Sequence, residues 1–188
     1  MPKTKRGSRA TPLAIELLET DHRKVEDLFE QFESEKDGDE GTKRALAERI
    51  CGELTVHAQV EEELFYPWLR ENLEDDEMEM VEEAQVEHNS AKDLIAQIQG
   101  ATTMDETFDA KVKVLSEYIK HHVKEEENEI FEAVSDKSEE LDELGQEMAA
   151  RKLELMEEMG LSQEEGEEMP AGARGRGQAQ QRENARSR

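Results

Sequence analysis

Four stretches of this sequence carry an apolar stripe that steps by three and four residues, and each stripe is interrupted by one histidine. That step is the period of a helix with a single buried face, so the histidines are directed inward with the core. The first stripe, Ile15, Leu18, His22, Val25, Phe29, Phe32, follows Thr11-Pro12, a capping residue and a proline suited to the first helical position, and runs to about Lys36. Asp37-Gly38-Asp39-Glu40-Gly41 breaks it, because Gly and Asp suit a turn. The second stripe is Leu46, Ile50, Leu54, His57, Glu61, Leu64, Trp68, and Pro67 should end or kink its helix. The third, over about 75–99, reads Val81, Ala84, His88, Ala91, Ile95, Ile98. The fourth, over about 105–134, reads Phe108, Val112, Leu115, Ile119, His122, Glu126, Ile130. A fifth stretch, about 138–159, has helical spacing without a histidine: Leu141, Leu144, Met148, Leu155, Met159. Its methionines, Met148, Met156 and Met159, with Met169 beyond them, read as packing rather than as a soft-metal site.

The stripes repeat in pairs. Asp21-His22 with Asp27-Leu28 matches Glu87-His88 with Asp93-Leu94, and His57-Ala-Gln-Val-Glu61 matches His122-Val-Lys-Glu-Glu126. His22 and His57 lie 35 residues apart, His88 and His122 34. Two similar helical hairpins packed on each other make an up-down-up-down bundle with a pseudo-twofold relation. The expected fold is therefore all-α: a four-helix bundle over 12–135, an additional C-terminal helix over 136–160, and disordered ends at 1–11 and 161–188. The last stretch is dominated by Gly, Glu, Gln and Arg without apolar spacing. Charged residues at 39 % and aromatics at 4 % favour long solvated helices over a sheet.

Charge and cysteine use narrow the function. The net charge is −25, although both ends are basic, so the body between them is more acidic still. Such a body attracts cations and repels nucleic acid, and no nucleic-acid partner is expected. No stretch is apolar over the length of a membrane span, and the basic N-terminus is followed by no apolar signal region. A cytoplasmic location without a membrane partner is the expectation. Cys51 is the single cysteine, which excludes an internal disulfide and a thiolate metal cluster.

Residues four apart lie one above the other on a helix face, so His57 points with Glu61 and His122 with Glu126. Four imidazoles and two carboxylates thus converge in an apolar core: His22, His57, Glu61, His88, His122 and Glu126. A buried carboxylate without a partner costs several kcal/mol, and a metal removes that cost. Imidazole with carboxylate and no sulfur suits iron, manganese or zinc. Six ligands exceed one tetrahedral zinc and suit two ions about 3.5–4 Å apart, each with two terminal histidines and with both glutamates bridging. Leu18, Phe29, Leu54, Leu115 and Ile119 would wall the site from solvent. His121 and Glu125 form a competing pair on a neighbouring stripe with Val114 and Tyr118, but the stripe of His122 and Glu126 is longer. Tyr118, one turn before His122, could approach the site, with core packing as its other reading. The Glu-rich runs 61–63 and 125–127 read as solvated faces apart from the ligands, or else as a funnel for ferrous ions.

The order His22, His57-x-x-x-Glu61, His88, His122-x-x-x-Glu126 resembles the hemerythrin and hemerythrin-like (HHE) family. The phrases His57-Ala-Gln-Val-Glu-Glu-Glu-Leu-Phe-Tyr-Pro67 and His121-His-Val-Lys-Glu-Glu-Glu-Asn-Glu-Ile-Phe131 carry the likeness, over roughly 12–135. It implies an up-down bundle around two non-haem iron ions, carboxylate-bridged and oxo- or hydroxo-bridged. Two positions depart from the oxygen carriers of that family. Lys92 stands where they have a further histidine, and Glu126 where they have an aspartate. The resemblance is thus to the four-His, two-Glu variety, which implies a protein that binds or senses oxygen, nitric oxide or peroxide. The alternatives are an enzyme acting on peroxide or oxygen or oxidising ferrous iron, and a metal-free bundle whose polar core sets register.

Overall fold

The computed structural model describes residues 11–35 and 38–161, and the helices begin and end for reasons that sequence alone shows only in part. Helix α1 covers Leu13–Ser34. Pro12, extended, precedes its first turn, and the Leu13 N–H donates to Asp142 Oδ1 at 2.8 Å, so the cap comes from the far end of the chain rather than from Thr11. Helix α2, Glu40–Val60, is capped by Asp39, which accepts from the Thr42 N–H at 3.1 Å. After a 3-10 turn at Asp75–Glu77, helix α4 covers Met78–Gln99. Helix α5, Glu106–Glu125, starts at Asp105, which accepts from the Thr107 N–H at 2.9 Å.

The second and fourth rods are not regular. Each passes from α2 or α5 into one π turn, Glu61–Phe65 or Glu126–Ile130, and then into a short helix, α3 (Tyr66–Asn72) or α6 (Phe131–Ala133). The wide turns are closed by the Tyr66 N–H on the Glu61 carbonyl and the Phe131 N–H on the Glu126 carbonyl. Pro67 falls beside the first, but the second has no proline near it, so proline alone does not cause them. A π turn advances the chain by one residue relative to an α-helix, and such turns recur at functional sites. The inward face shifts with it. Phe65, Tyr66 and Leu69 are fully buried, whereas Leu64 and Trp68, expected inward from the regular step, are only partly covered.

The rods stand antiparallel in sequence order. The end of α1 lies beside the start of α2, where Lys43 sits over the Phe32 ring, and Arg44 near the start of α2 reaches Ala101 beyond the end of α4. The fold is all-helical, a four-rod bundle with a fifth helix, α7, at Ser138–Glu158. It runs parallel to α1: Asp142 caps Leu13, and Lys152 pairs with Asp21. Gly145 permits the approach, since a Cβ there would come within 2.4 Å of the Ala14 nitrogen. Gly160, at φ 66°, ends α7, and Leu161 then folds against Gly52. Met148 and Met156 are buried as packing residues, whereas Met159 is exposed; Met169 and the basic ends lie outside the described residues.

Two apolar clusters fill the bundle. One joins Leu17, Leu18, Val60, Phe65, Leu69, Ile130 and Phe131 to Leu141, Met148 and Met156 of α7. The other joins Val25, Phe29, Ile50, Leu54, Ile95, Phe108, Leu115 and Ile119. The polar stripe residues lie between them. Among the described residues no helix is long and apolar enough to cross a membrane.

Candidate metal centre

Each ligand candidate reaches the centre because its helix turns the buried face there. His22, His57, His88 and His122 are 3 %, 6 %, 4 % and 4 % exposed, and Glu61 and Glu126 are buried as completely as any residue of the core. The Nε2 atoms of all four rings face the carboxylates: His22 Nε2 is 3.2 Å from Glu126 Oε2, and His57 Nε2 and His88 Nε2 are each 3.3 Å from Glu61 Oε2. His122 Nε2 is 3.9 Å from Glu126 Oε2 and 3.2 Å from His88 Nε2. One set of ligand atoms within 4.8 Å of one another comes from His22, His57, Glu61 and Glu126, another from Glu61, His88 and His122. The two sets share Glu61, which therefore stands between the two groups of side chains that could hold a metal ion. His121 points away, with its side chain 59 % exposed, and Tyr118 is exposed rather than near the centre.

The opposite ring edges reveal four residues that the sequence stripes did not single out as partners. His22 Nδ1 lies 2.9 Å from Glu127 Oε1, His57 Nδ1 3.5 Å from Asp21 Oδ2, His88 Nδ1 3.1 Å from Glu62 Oε1, and His122 Nδ1 2.9 Å from Glu87 Oε2. Hydrogen bonds from the outer nitrogens of His22, His88 and His122 fix those rings' orientation and turn Nε2 towards the centre, while Asp21 stands beside His57 at ion-pair distance. The pattern obeys the repeat. The acid preceding one histidine (Asp21, Glu87) holds the ring on the next rod of its own hairpin. The acid following each inner glutamate (Glu62, Glu127) holds a ring of the other hairpin. The Glu runs are thus not only solvated faces, and the signal available in the sequence was their recurrence at matching positions.

Without a cation this cluster is electrostatically expensive. Neither oxygen of Glu61 nor of Glu126 has a hydrogen-bond partner, although all four are buried. Burial and the adjacent Glu126 hold the Glu61 carboxyl well above its ordinary range. Burial also raises Glu126, but the His22 ring 3.2 Å away outweighs it and pulls that group low. Burial lowers His22, but the carboxylates of Glu126 and Glu127 on its two ring nitrogens hold the ring up at about 10. Burial carries His57 down to about 4, which leaves a neutral imidazole. Hydrogen bonding to His88 draws Glu62 down to about 2. A cation satisfies the orphaned oxygens and relieves the repulsion between the two glutamates, so the donor set fits a metal.

Two further features touch the centre. Tyr66, brought inward by the first π turn, places its hydroxyl 3.1 Å from His88 Nε2. A regular helix does not direct that position inward, so the apolar stripe of the sequence passes it by. A small cavity of about 20 Å³ adjoins His22, His57, His88 and His122 and is walled by Val25, Leu54, Ala91 and Ile119. That volume suffices for one water-sized molecule. Lys92 sits at its edge and pairs with the outer carboxylate Glu62.

Comparison with known proteins agrees with this geometry. The family described as hemerythrin HHE cation binding domain matches residues 13–134. A crystal structure of a hemerythrin HHE cation binding domain-containing protein from Mycobacterium kansasii superposes with a TM-score of 0.64 at 21 % identity, covering 80 % of this chain and 90 % of that one. A curated protein named DNA nickase, from Nostoc sp. (strain PCC 7120 / SAG 25.82 / UTEX 2576), is 28 % identical over 148 residues. The match covers 77 % of this chain and 40 % of the Nostoc protein, so this chain spans less than half of that relative.

Proposed function

Because the chain belongs to the hemerythrin HHE cation-binding family, matched over residues 13–134, we propose that it holds two iron ions on His22, His57, Glu61, His88, His122 and Glu126 and binds or senses a small ligand there. The observation that carries the reading is the set of four buried carboxylate oxygens that make no hydrogen bond, on two glutamates faced by four imidazole Nε2 atoms. Glu61 and Glu126 would bridge, with His22 and His57 serving one ion and His88 and His122 the other. Imidazole with carboxylate suits iron, and iron supplies the redox and ligand-binding chemistry. The chain's own residues supply the rest. Asp21, Glu62, Glu87 and Glu127 orient the rings, and the apolar wall of Val25, Leu54 and Ile119 excludes bulk water. The cavity of about 20 Å³ beside the four rings suits a ligand as small as oxygen, nitric oxide or peroxide.

A second reading, turnover of peroxide or oxygen, is favoured by Tyr66, a buried phenol with its hydroxyl at the centre. It offers a proton or a hydrogen bond to whatever binds beside His88. Nicking of DNA is not part of the proposal. An acidic chain of net charge −25 opposes the phosphate backbone, and supercoiled plasmid incubated with the loaded protein should stay supercoiled. The two iron readings separate when peroxide is supplied in excess over the loaded protein. Binding or sensing leaves a spectral change with no catalytic loss of peroxide, whereas an enzyme consumes many equivalents and slows in Tyr66→Phe.

A further inference from the structure

Three of the four outer carboxylates end on a fixed cation: Asp21 on Lys152, Glu62 on Lys92, Glu127 on Arg23. The fourth, Glu87, ends on a histidine. Its Oε2 lies 2.9 Å from His122 Nδ1, while its Oε1 faces Nε2 of the exposed His121 at 3.7 Å. His121 Nε2 is in turn 3.2 Å from Glu125 Oε1. One ligand atom each from Glu87, His121 and Glu125 falls within 4.8 Å of the others. A cleft of about 190 Å³ opens beside them between α4 and the α5 rod, lined by Glu83, Glu87, Glu125 and Glu129 and reaching His122 and Glu126. Glu126, whose buried oxygens make no hydrogen bond, is among the residues that line it.

We propose that Glu87, His121 and Glu125 form a cation-binding transit site at the mouth of this cleft, through which a divalent first-row transition-metal ion reaches and leaves the buried centre. The inference rests on reading the core as a metal centre. Carboxylate with imidazole is a donor set for such ions, and an acidic cleft with low-dielectric walls concentrates cations. Glu87 joins the two places, with one oxygen on the outer group and one on a core imidazole. The repeat supplies a control within the molecule. The positions matching Glu83, His121 and Glu125 in the first hairpin are Leu17, Val56 and Val60, each at most 2 % exposed. Asp21, which matches Glu87, is the one carboxylate left there; it is buried and paired with Lys152, and the other three lie in the cluster packed with α7.

The test uses full-length protein loaded with cobalt(II) as a spectroscopic stand-in, and reads both the content at equilibrium and the rate at which a chelator strips the ion. The double variant His121→Ala/Glu125→Gln should keep the wild-type content and release cobalt about ten-fold more slowly. Glu154→Gln, which removes an exposed charge from α7, should release at the wild-type rate. Zinc titrated into the loaded wild type should add one further weak equivalent that the double variant lacks. Release from the double variant at the wild-type rate, or faster as from a lost plug, overturns the transit site while the centre stands. Wild-type protein that takes up no ion overturns the metal centre, and the transit site falls with it.

Discussion

The two hairpins carry the same inner residues in the same order, yet one face of each has been built for opposite purposes. In the first hairpin Leu17, Val56, Val60 and Leu64 lie in the cluster shared with α7, and Lys152 of α7 reaches inward to pair with Asp21. In the second the matching positions are Glu83, His121, Glu125 and Glu129, open to solvent along an acidic cleft. The six ligand candidates are unaffected by this difference, whereas the outer carboxylates Asp21 and Glu87 end on different partners, Lys152 and His121. The difference therefore concerns access and support: one half of the centre is sealed and braced, the other reachable.

The sharpest test of equivalence in the inner residues is His57→Ala against His122→Ala. Both should lose most of the bound metal and melt at lower temperature, because each leaves an inner glutamate without one of its ring partners. Metal analysis and thermal denaturation measure this, and loss from only one of the two would break the symmetry inferred here. The next effect separates the outer supports. Lys152→Met leaves the buried Asp21 without its ammonium partner and should destabilise by about 3 kcal/mol, whereas Lys92→Met removes a 42 % exposed partner of Glu62 and should cost under about 1 kcal/mol. Chemical denaturation of the two variants side by side decides, and equal costs would refute the bracing role of α7.

A smaller effect follows from the outer carboxylates. Glu62→Gln and Glu127→Gln occupy matching places and should each weaken metal affinity by about ten-fold or more, as read by competition with a chelator. A loss confined to one would show that the repeat does not extend to these contacts. The smallest effect is His121→Ala on folding. An exposed ring should change the melting temperature hardly at all, so a large drop would place His121 within the structural core rather than at its edge.

Much of this arrangement was legible as pattern. The three-and-four step marked the five rods, and the recurrence of His57-x-x-x-Glu61 at His122-x-x-x-Glu126 directed six polar groups into one core. The rest depended on geometry that a helical period cannot encode. The π turns begin at Glu61 and Glu126, so the expected inward Leu64 and Trp68 yield to Phe65, Tyr66 and Leu69. Tyr66 reaches His88 only because of that one-residue shift, and Tyr118, at a regular position, does not. Glu62 and Glu127 looked solvated because their partners lie on another rod of the other hairpin. Asp142 and Lys152 are surface-like residues in α7, and their roles as cap and brace arise only when α7 lies parallel to α1.

The central claim is that the buried glutamates exist to hold two iron ions between four imidazoles. The most direct measurement is anaerobic iron quantification on protein expressed with ample iron, with an optical spectrum taken before and after admitting oxygen. The account predicts about two iron ions per folded chain, a near-ultraviolet absorption that grows on oxidation, and no haem band. A well-folded, saturated protein holding one tetrahedral zinc ion and no iron, unchanged by oxygen, would contradict it.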